Sequence, residues 1–269
     1  MEQPIVKDPI LLAQKSAPAT GEDLQVAQDL LDTLNASDQS DAQILEIKKC
    51  YGRKQVLTGA SFSADSGSCV GILGTNGSGK STLLRILAGV LHPDSGSFLW
   101  KGTDLLKAPA DRSKAVAYVP QGTPLIEELS ALDHLRLWYE KETLQVSLEN
   151  GVLRELGIHE FLKTPVSKLS GGMKKRLSIG CAMANDPSIL LLDEPTAALD
   201  LVGKERILGY FERFRDRGGL LLVVTHDQRE LELCDSWHIL RDGRLRPCEY
   251  DGDLRRLTES LGGSHERKI

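Results

Sequence analysis

The sequence lacks any run of about 18 consecutive apolar residues, the length that a membrane-spanning helix needs. It also lacks a positively charged N-terminal region followed by an apolar stretch, so no secretory signal peptide is expected. From these two absences we expect a chain that does not cross a membrane by itself.

The chain also lacks a strong excess of charge and a cysteine motif. The net charge is −5 at pH 7 and the sequence pI is about 5.7, so no basic surface points to a nucleic-acid partner. The five cysteines are scattered and form no C-x-x-C pair. This excludes a zinc site of that type and a disulfide framework, and it indicates reduced thiols in the cytosol.

A length of 269 residues suits one large α/β domain with a small inserted subdomain. We expect the domain at residues 42–250 and a charged tail at 251–269. Residues 1–41 differ in composition and predict a flexible extension with a short amphipathic helix. Two interpretations remain open: a docking element for a partner or membrane surface, and a tail that is disordered or packs loosely on its own domain. The apolar residues of the predicted helix share one face: Leu24, Ala27, Leu30, Leu31 and Leu34.

Short apolar runs alternate with helical periodicity along the domain, which predicts a three-layer α/β core. Residues 189–192 and 220–224 are continuous apolar runs, as strands of a parallel sheet buried on both faces require. Residues 125–168 carry helical spacing and almost no strand signal, so we expect a helical insertion at about 122–185. Residues 238–245 predict a terminal hairpin.

A phosphate-binding loop follows the apolar strand at residues 69–73. Its backbone N–H groups and the helix that follows can bind phosphates, Lys80 supplies a positive charge, and Ser81 offers a hydroxyl to Mg²⁺. Placement between an apolar strand and an amphipathic helix makes a chance match improbable. The motif reads Gly74-Thr75-Asn76-Gly77-Ser78-Gly79-Lys80-Ser81, with Thr82 next in the helix.

The predicted strand at residues 189–194 ends in two carboxylates, Asp193 and Glu194, after the apolar run. The carboxyl ends of parallel strands form the edge where such folds bind ligands, so we expect both beside the phosphate loop. Between the two motifs, Ser170, Gly171 and Gly172 open a predicted helix that ends near residue 184. In isolation this segment would be an ordinary serine N-cap with a glycine hinge.

The order of these three motifs resembles the ATP-binding cassette of ABC proteins over residues 42–250. The resemblance implies a P-loop NTPase core with a mainly parallel sheet, an N-terminal antiparallel β subdomain and an inserted α-helical subdomain. It also implies that Asp193 positions Mg²⁺ and that Glu194 is the general base. His226 would bond the γ-phosphate, and Gln121 would contact Mg²⁺ and link the core to the insertion. Tyr51 would stack on adenine.

The same resemblance implies a head-to-tail dimer that encloses two ATP molecules. Ser170, Gly171 and Gly172 would serve the γ-phosphate bound by the opposite subunit, and Asp200, in the loop at 198–200, would lie at the dimer interface. Residues 174–176 predict a solvated helix face. The chain departs from the residues that are common in the family at Met173, at Leu201 and at the alanines 197–198. Glu194 and His226 are intact.

The expected function is therefore that of an ATPase subunit, with ATP and Mg²⁺, at the cytoplasmic face of a membrane. Its expected partners are a transmembrane permease, of the export type, and a second cassette. Residues 122–139 contain more apolar side chains than packing needs, which predicts a groove for a permease helix. Two alternatives remain: a soluble cassette of the iron–sulfur cluster assembly type, and a nucleotide-gated permease regulator.

Overall fold

The computed structural model describes residues 40–197 and 199–252. The predicted N-terminal amphipathic helix, Ala198 and the tail beyond residue 252 lie outside the described residues. Within the described part, no helix is long and apolar enough to span a membrane. The first strand begins at Ala42, and the carbonyl of Asp41 accepts a hydrogen bond from Lys101 N at 2.6 Å.

A four-stranded antiparallel sheet forms the N-terminal part of the domain, in the order β2-β1-β4-β5. Ile44 of the first strand lies opposite Phe62 on one side and Phe98 on the other. All three side chains are buried, so the alternation of the first strand supplies one face of a core. The strands are β1 (Ala42–Tyr51), β2 (Lys54–Ala64), β4 (Ser95–Trp100) and β5 (Thr103–Asp104).

A six-stranded sheet forms the centre, in the order β10-β9-β3-β8-β7-β6. Five of its strands run parallel, and β10 closes the predicted hairpin antiparallel to β9. Every residue of β3, β7 and β8 is buried, which explains why these strands are apolar apart from Asp193 at the end of β7. The strands are β3 (Cys69–Leu73), β6 (Val116–Val119), β7 (Ile189–Asp193), β8 (Leu220–Val224), β9 (Ser236–Arg241) and β10 (Arg244–Cys248).

Helices cover both faces of this sheet and fill the insertion. In the part of the chain that the structure describes, 3₁₀ turns accompany them at Ile158–Glu160, Val166–Lys168 and Met183–Asn185. In the described residues the predicted insertion contains helices and an isolated bridge between Ser130 and Pro165, but no strand. The helices are α1 (Lys80–Leu87), α2 (Pro109–Ala115), α3 (Ala131–Leu135), α4 (Lys141–Asn150), α5 (Val152–Glu155), α6 (Gly171–Ala182), α7 (Leu201–Asp216) and α8 (Gln228–Leu233).

Two hydrophobic cores lie on opposite faces of the central sheet. Leu190 and Leu192 face a core shared with α6, α7 and the helical insertion. Ile189 and Leu191 face a core shared with α1 and the antiparallel sheet. Because side chains alternate between the two faces, the central strands pack between two layers. The residues that follow β3, β6, β7 and β8 are therefore held at the same edge of the sheet.

Candidate active site

The phosphate loop joins β3 to α1 through three glycines in the left-handed region. Gly74 has φ 153°, Gly77 φ 80° and Gly79 φ 109°, values that other residues rarely adopt. A Cβ atom on Gly79 would also lie 2.9 Å from Val56 Cγ1. The loop therefore passes close beneath β2, and this path requires glycine.

Lys80 lies over this loop with its ammonium group turned inward. Its Nζ donates hydrogen bonds to the carbonyls of Gly74 at 2.6 Å and Thr75 at 3.1 Å, and the residue is buried. Burial lowers the pKa of Lys80, while Glu194 and Asp193 oppose the shift. The ammonium is thus held against the loop at the wall of a cavity, in a position to meet an anionic phosphate.

A cavity of about 600 Å³ brings most of the predicted site together. A second cavity, of about 650 Å³, adjoins it and is lined in part by Gly74, Thr75 and Ser78. Both volumes lie in the range of ligand pockets. From the predicted set, the first cavity is lined by Asn76, Gly77, Gly79, Lys80, Ser81, Thr82, Gln121, Asp193, Glu194 and His226.

Glu194 occupies a strained backbone position directly after β7. Its φ is 47°, a left-handed value that costs a non-glycine residue free energy and is often found at active sites. Its N–H donates to the carbonyl of Val224 at 2.8 Å, and the side-chain Nε2 of Gln121 donates to its Oε2 at 2.7 Å. The carboxylate is therefore fixed from two sides.

Asp193 is the last residue of β7 and is only 4% exposed. The hydroxyl of Tyr118, on the neighbouring strand β6, lies 3.5 Å from Asp193 Oδ2. A buried carboxylate beside Lys80 contributes to the charge balance of the cavity. Its position at the strand end also leaves it facing the phosphate loop, since both line the same cavity.

His226 follows β8 after Thr225 and completes the cavity wall. Burial lowers its pKa, Lys80 lowers it further, and Glu194 opposes the shift. The imidazole is therefore neutral at pH 7 and offers one N–H donor and one acceptor nitrogen.

The donor set around the cavity fits a magnesium ion. Ser81 offers a hydroxyl, Gln121 an amide and Asp193 a carboxylate, and all three line the same cavity. Across residues 40–197 and 199–252, no group of three His, Cys, Asp or Glu side chains could hold a metal ion. A Mg²⁺ site beside bound phosphates typically has only one or two protein carboxylates, because water and substrate phosphate oxygens supply most of the other ligands.

Five predicted site residues lie outside both cavities. Ser170 is exposed and caps α6, where its hydroxyl accepts a hydrogen bond from Met173 N at 3.2 Å, and Gly171 and Gly172 form the first turn. Asp200 is exposed and caps α7, accepting from Gly203 N at 2.7 Å. Tyr51 is 48% exposed at the end of β1.

The prediction of a solvated face at residues 174–176 is wrong for Lys175. Lys175 is only 3% exposed and donates to the carbonyls of Pro120 and Gln121. Arg176 is partly buried and donates to the carbonyl of Leu156 at 2.8 Å, whereas Lys174 pairs with Glu127. The reason is packing: α6 lies against the end of β6 and against α5, so two of its three basic residues turn into the protein.

Two functional candidates are absent from the sequence-based expectations. Val56 lines both cavities beside the phosphate loop, and a single valine in a strand gives no signal of this. Glu230, in α8, is 1% exposed and accepts hydrogen bonds from the backbone N–H and the hydroxyl of Thr196. Burial raises the pKa of Glu230, and this carboxyl ties α8 to the turn that follows Glu194.

Comparison with known proteins agrees with this geometry. The ABC transporter family matches residues 57–197. A linearmycin resistance ATP-binding protein of Bacillus subtilis (strain 168) is 33% identical over 82% of this chain and 72% of its own length. The Nod factor export ATP-binding protein I of Rhizobium etli is 33% identical over 83% and 78%. A dimeric ATP-binding cassette bound to ADP and phosphate is 28% identical, with a TM-score of 0.67 over 77% of this chain and 98% of that one.

Proposed function

Because this chain belongs to the ABC transporter family, we propose that it is the ATPase subunit of an exporter and drives a separate transmembrane permease. The chain is an ATP-hydrolysing cassette with the P-loop NTPase fold of that family. The observation that carries the proposal is a single cavity lined by Lys80, Asp193, Glu194 and His226. These are a phosphate-binding lysine, two carboxylates and a neutral imidazole, the groups that phosphoryl transfer to water uses.

In the proposed mechanism the loop N–H groups and Lys80 bind the β- and γ-phosphates. Ser81, Gln121 and Asp193 would hold Mg²⁺, which supplies positive charge to the phosphate oxygens when bound. Glu194 accepts the proton of the attacking water, and its bond from Gln121 keeps the carboxylate in place. His226 bonds the γ-phosphate through its N–H. Tyr51 stacks on the base, and its exposure leaves that ring face accessible.

The second half of each ATP site comes, in our proposal, from another cassette. Ser170 and the two glycines after it present N–H groups at the start of a 12-residue helix, yet they do not line the cavity of their own chain. A head-to-tail pairing would bring this segment to the partner's γ-phosphate and place Asp200 at the interface. The dimeric form of the similar cassette supports this arrangement.

Export and membrane association rest on the relatives and on one surface. One relative is named for resistance to linearmycin and another for Nod factor export, so we propose that this chain also serves an exporter at the cytoplasmic face of a membrane. In residues 122–139, Ile126, Leu137 and Trp138 remain 48–60% exposed, while Leu135 is fully buried. We propose that this exposed set, termed the docking surface, receives a short helix of the permease.

Cell fractionation followed by affinity purification of a tagged chain tests this function. We expect the chain in the membrane fraction, co-purifying with an integral membrane protein. Recovery in the soluble fraction with a soluble scaffold protein would instead support an iron–sulfur cluster assembly role and overturn the proposal.

A charged substitution on the docking surface should weaken binding to the permease without changing the rate of ATP hydrolysis. We expect Trp138→Glu to reduce the recovered permease at least about tenfold, because a charge buried in an apolar interface is costly. The ATPase rate of the purified chain should stay within about twofold, because Trp138 does not touch the cavity. Val146→Glu is the matched control: Val146 is 64% exposed on α4 of the same insertion, outside the docking surface. Equal losses in both variants would remove Trp138 from the interface.

A further inference from the structure

Two lysines are buried among the residues that the structure describes, Lys80 and Lys175. Lys80 belongs to the phosphate loop. Lys175 lies on α6, the helix that begins with the Ser-Gly-Gly segment at 170–172, and does not line either cavity beside the phosphate loop. Its burial is therefore not explained by contact with the nucleotide.

The ammonium of Lys175 contacts the loop that follows β6. Its Nζ donates to the carbonyl of Pro120 at 2.8 Å and to that of Gln121 at 3.0 Å. Burial lowers the pKa of Lys175, and the carboxylates of Asp193, Glu230 and Glu194 oppose the shift.

A buried ammonium group such as that of Lys175 contributes little by itself to the stability of the fold. Removing an ammonium from water carries a penalty that two carbonyl partners only partly repay, and an apolar side chain of similar volume is often tolerated as well or better. The position would therefore be served at least equally by methionine if packing were its only purpose. A role in placing the loop accounts for the charge.

Gln121, whose carbonyl Lys175 contacts, also bonds Glu194, the proposed general base. The carbonyl of Gln121 accepts from Lys175, and its side-chain Nε2 donates to Glu194 Oε2 at 2.7 Å. Gln121 is itself exposed, so the packing around it does not fix its position. A continuous series of hydrogen bonds thus runs from α6 through Gln121 to Glu194.

We propose that Lys175 is a positioning residue that transmits the placement of the Ser-Gly-Gly segment to Glu194 through Gln121. This inference rests on the proposed roles of Gln121 and Glu194. In this proposal α6 moves as a rigid element, so a displacement of its N-terminus carries the ammonium with it and shifts the backbone of Gln121. The hydrogen bond to Glu194 then strengthens or weakens according to how the Ser-Gly-Gly segment is engaged.

The test compares Lys175→Met with wild type in the purified full chain. We expect kcat for ATP hydrolysis to fall about tenfold to a hundredfold, the range that a small misplacement of a catalytic group costs. KM for ATP should change less than about threefold, because the phosphate loop is untouched, and the melting temperature should be equal or higher. Lys163→Met, at an exposed lysine of the same insertion, should match wild type. A lower melting temperature with an unchanged kcat would overturn the proposal.

A double-mutant cycle with Gln121→Ala tests the route. If Lys175 acts through Gln121, the double variant should be as slow as Gln121→Ala alone; additive losses would show that the two act independently and overturn the proposal. Lys175→Gln keeps an N–H donor and should lie between wild type and Lys175→Met, and it replaces the latter if that variant does not fold. Measuring Glu194→Gln in the same assay distinguishes a failure of the proposed function from a failure of the Lys175 inference. If Glu194→Gln hydrolyses ATP at the wild-type rate, the proposed function is contradicted. If Glu194→Gln is slow but Lys175→Met hydrolyses ATP at the wild-type rate, only the inference about Lys175 is contradicted.

Discussion

The Glu194→Gln variant will bind ATP as wild type does and hydrolyse it about a hundredfold to ten-thousandfold more slowly. An amide has the size of the carboxylate but cannot accept a proton, and positioned general bases contribute rate factors of about that size. Glu194 lines the cavity and its Oε2 is already fixed by Gln121, so the substitution removes the base without enlarging the site. ATP binding persists because the phosphate loop is intact.

Phosphate release and nucleotide titration on the same preparation measure both halves of this prediction. Glu212→Gln is the control, since Glu212 is exposed on α7 and lies outside the cavity. Its rate and affinity should equal those of wild type. Turnover of Glu194→Gln at the wild-type rate would remove Glu194 as the base.

The Lys80→Ala variant will bind ATP about tenfold to a hundredfold more weakly. Charge-assisted hydrogen bonds to a phosphate contribute about 1.5–3 kcal/mol, and each 1.4 kcal/mol is a factor of ten in affinity. Lys80 also neutralises a cavity that contains Asp193 and Glu194. Its loss therefore removes an attraction and leaves two carboxylates facing the incoming phosphates.

Titration with a fluorescent ATP analogue measures the affinity, and circular dichroism checks that the variant is folded. Lys163→Ala changes an exposed lysine of the insertion and should bind normally. Wild-type affinity in a folded Lys80→Ala protein would exclude Lys80 from the phosphate site.

Much of the central sheet follows directly from local sequence. The runs at β3, β7 and β8 are apolar, apart from Asp193 at the end of β7, because both faces of those strands are covered. The predicted bounds of β3 and β8 agree with the structure, and β7 ends one residue before the predicted strand does. The glycines of the phosphate loop likewise predict backbone conformations with positive φ, which other residues rarely adopt. For these elements the physical cause lies within a few residues of chain.

Helix α7 is absent from the sequence-based expectations although its signal is present. Ile207, Phe211 and Phe214 recur at helical spacing and are buried, and Asp200 caps the helix. Helix α2, by contrast, contains no buried residue and gives no amphipathic pattern. It ends at Ala115, directly before β6 begins at Val116.

The contacts that organise the site arise from tertiary packing and leave no local signal. Gln121 and Glu194 are 73 residues apart in the chain, and Lys175 is 54 residues from Gln121. Three consecutive basic residues suggest a solvated face, and only the packing of α6 against the end of β6 shows that Lys175 is buried. The motifs predict which groups react, whereas the hydrogen-bonded route between those groups depends on the fold.

Site-specific photocrosslinking at Trp138 in living cells tests whether this ATPase drives a membrane permease. A photoreactive residue is placed at position 138, on the docking surface, with a matched probe at Val146 outside it. We expect an integral membrane protein to be captured at position 138 and not at 146. Capture of a soluble scaffold at position 138, with no membrane protein at either position, would contradict it.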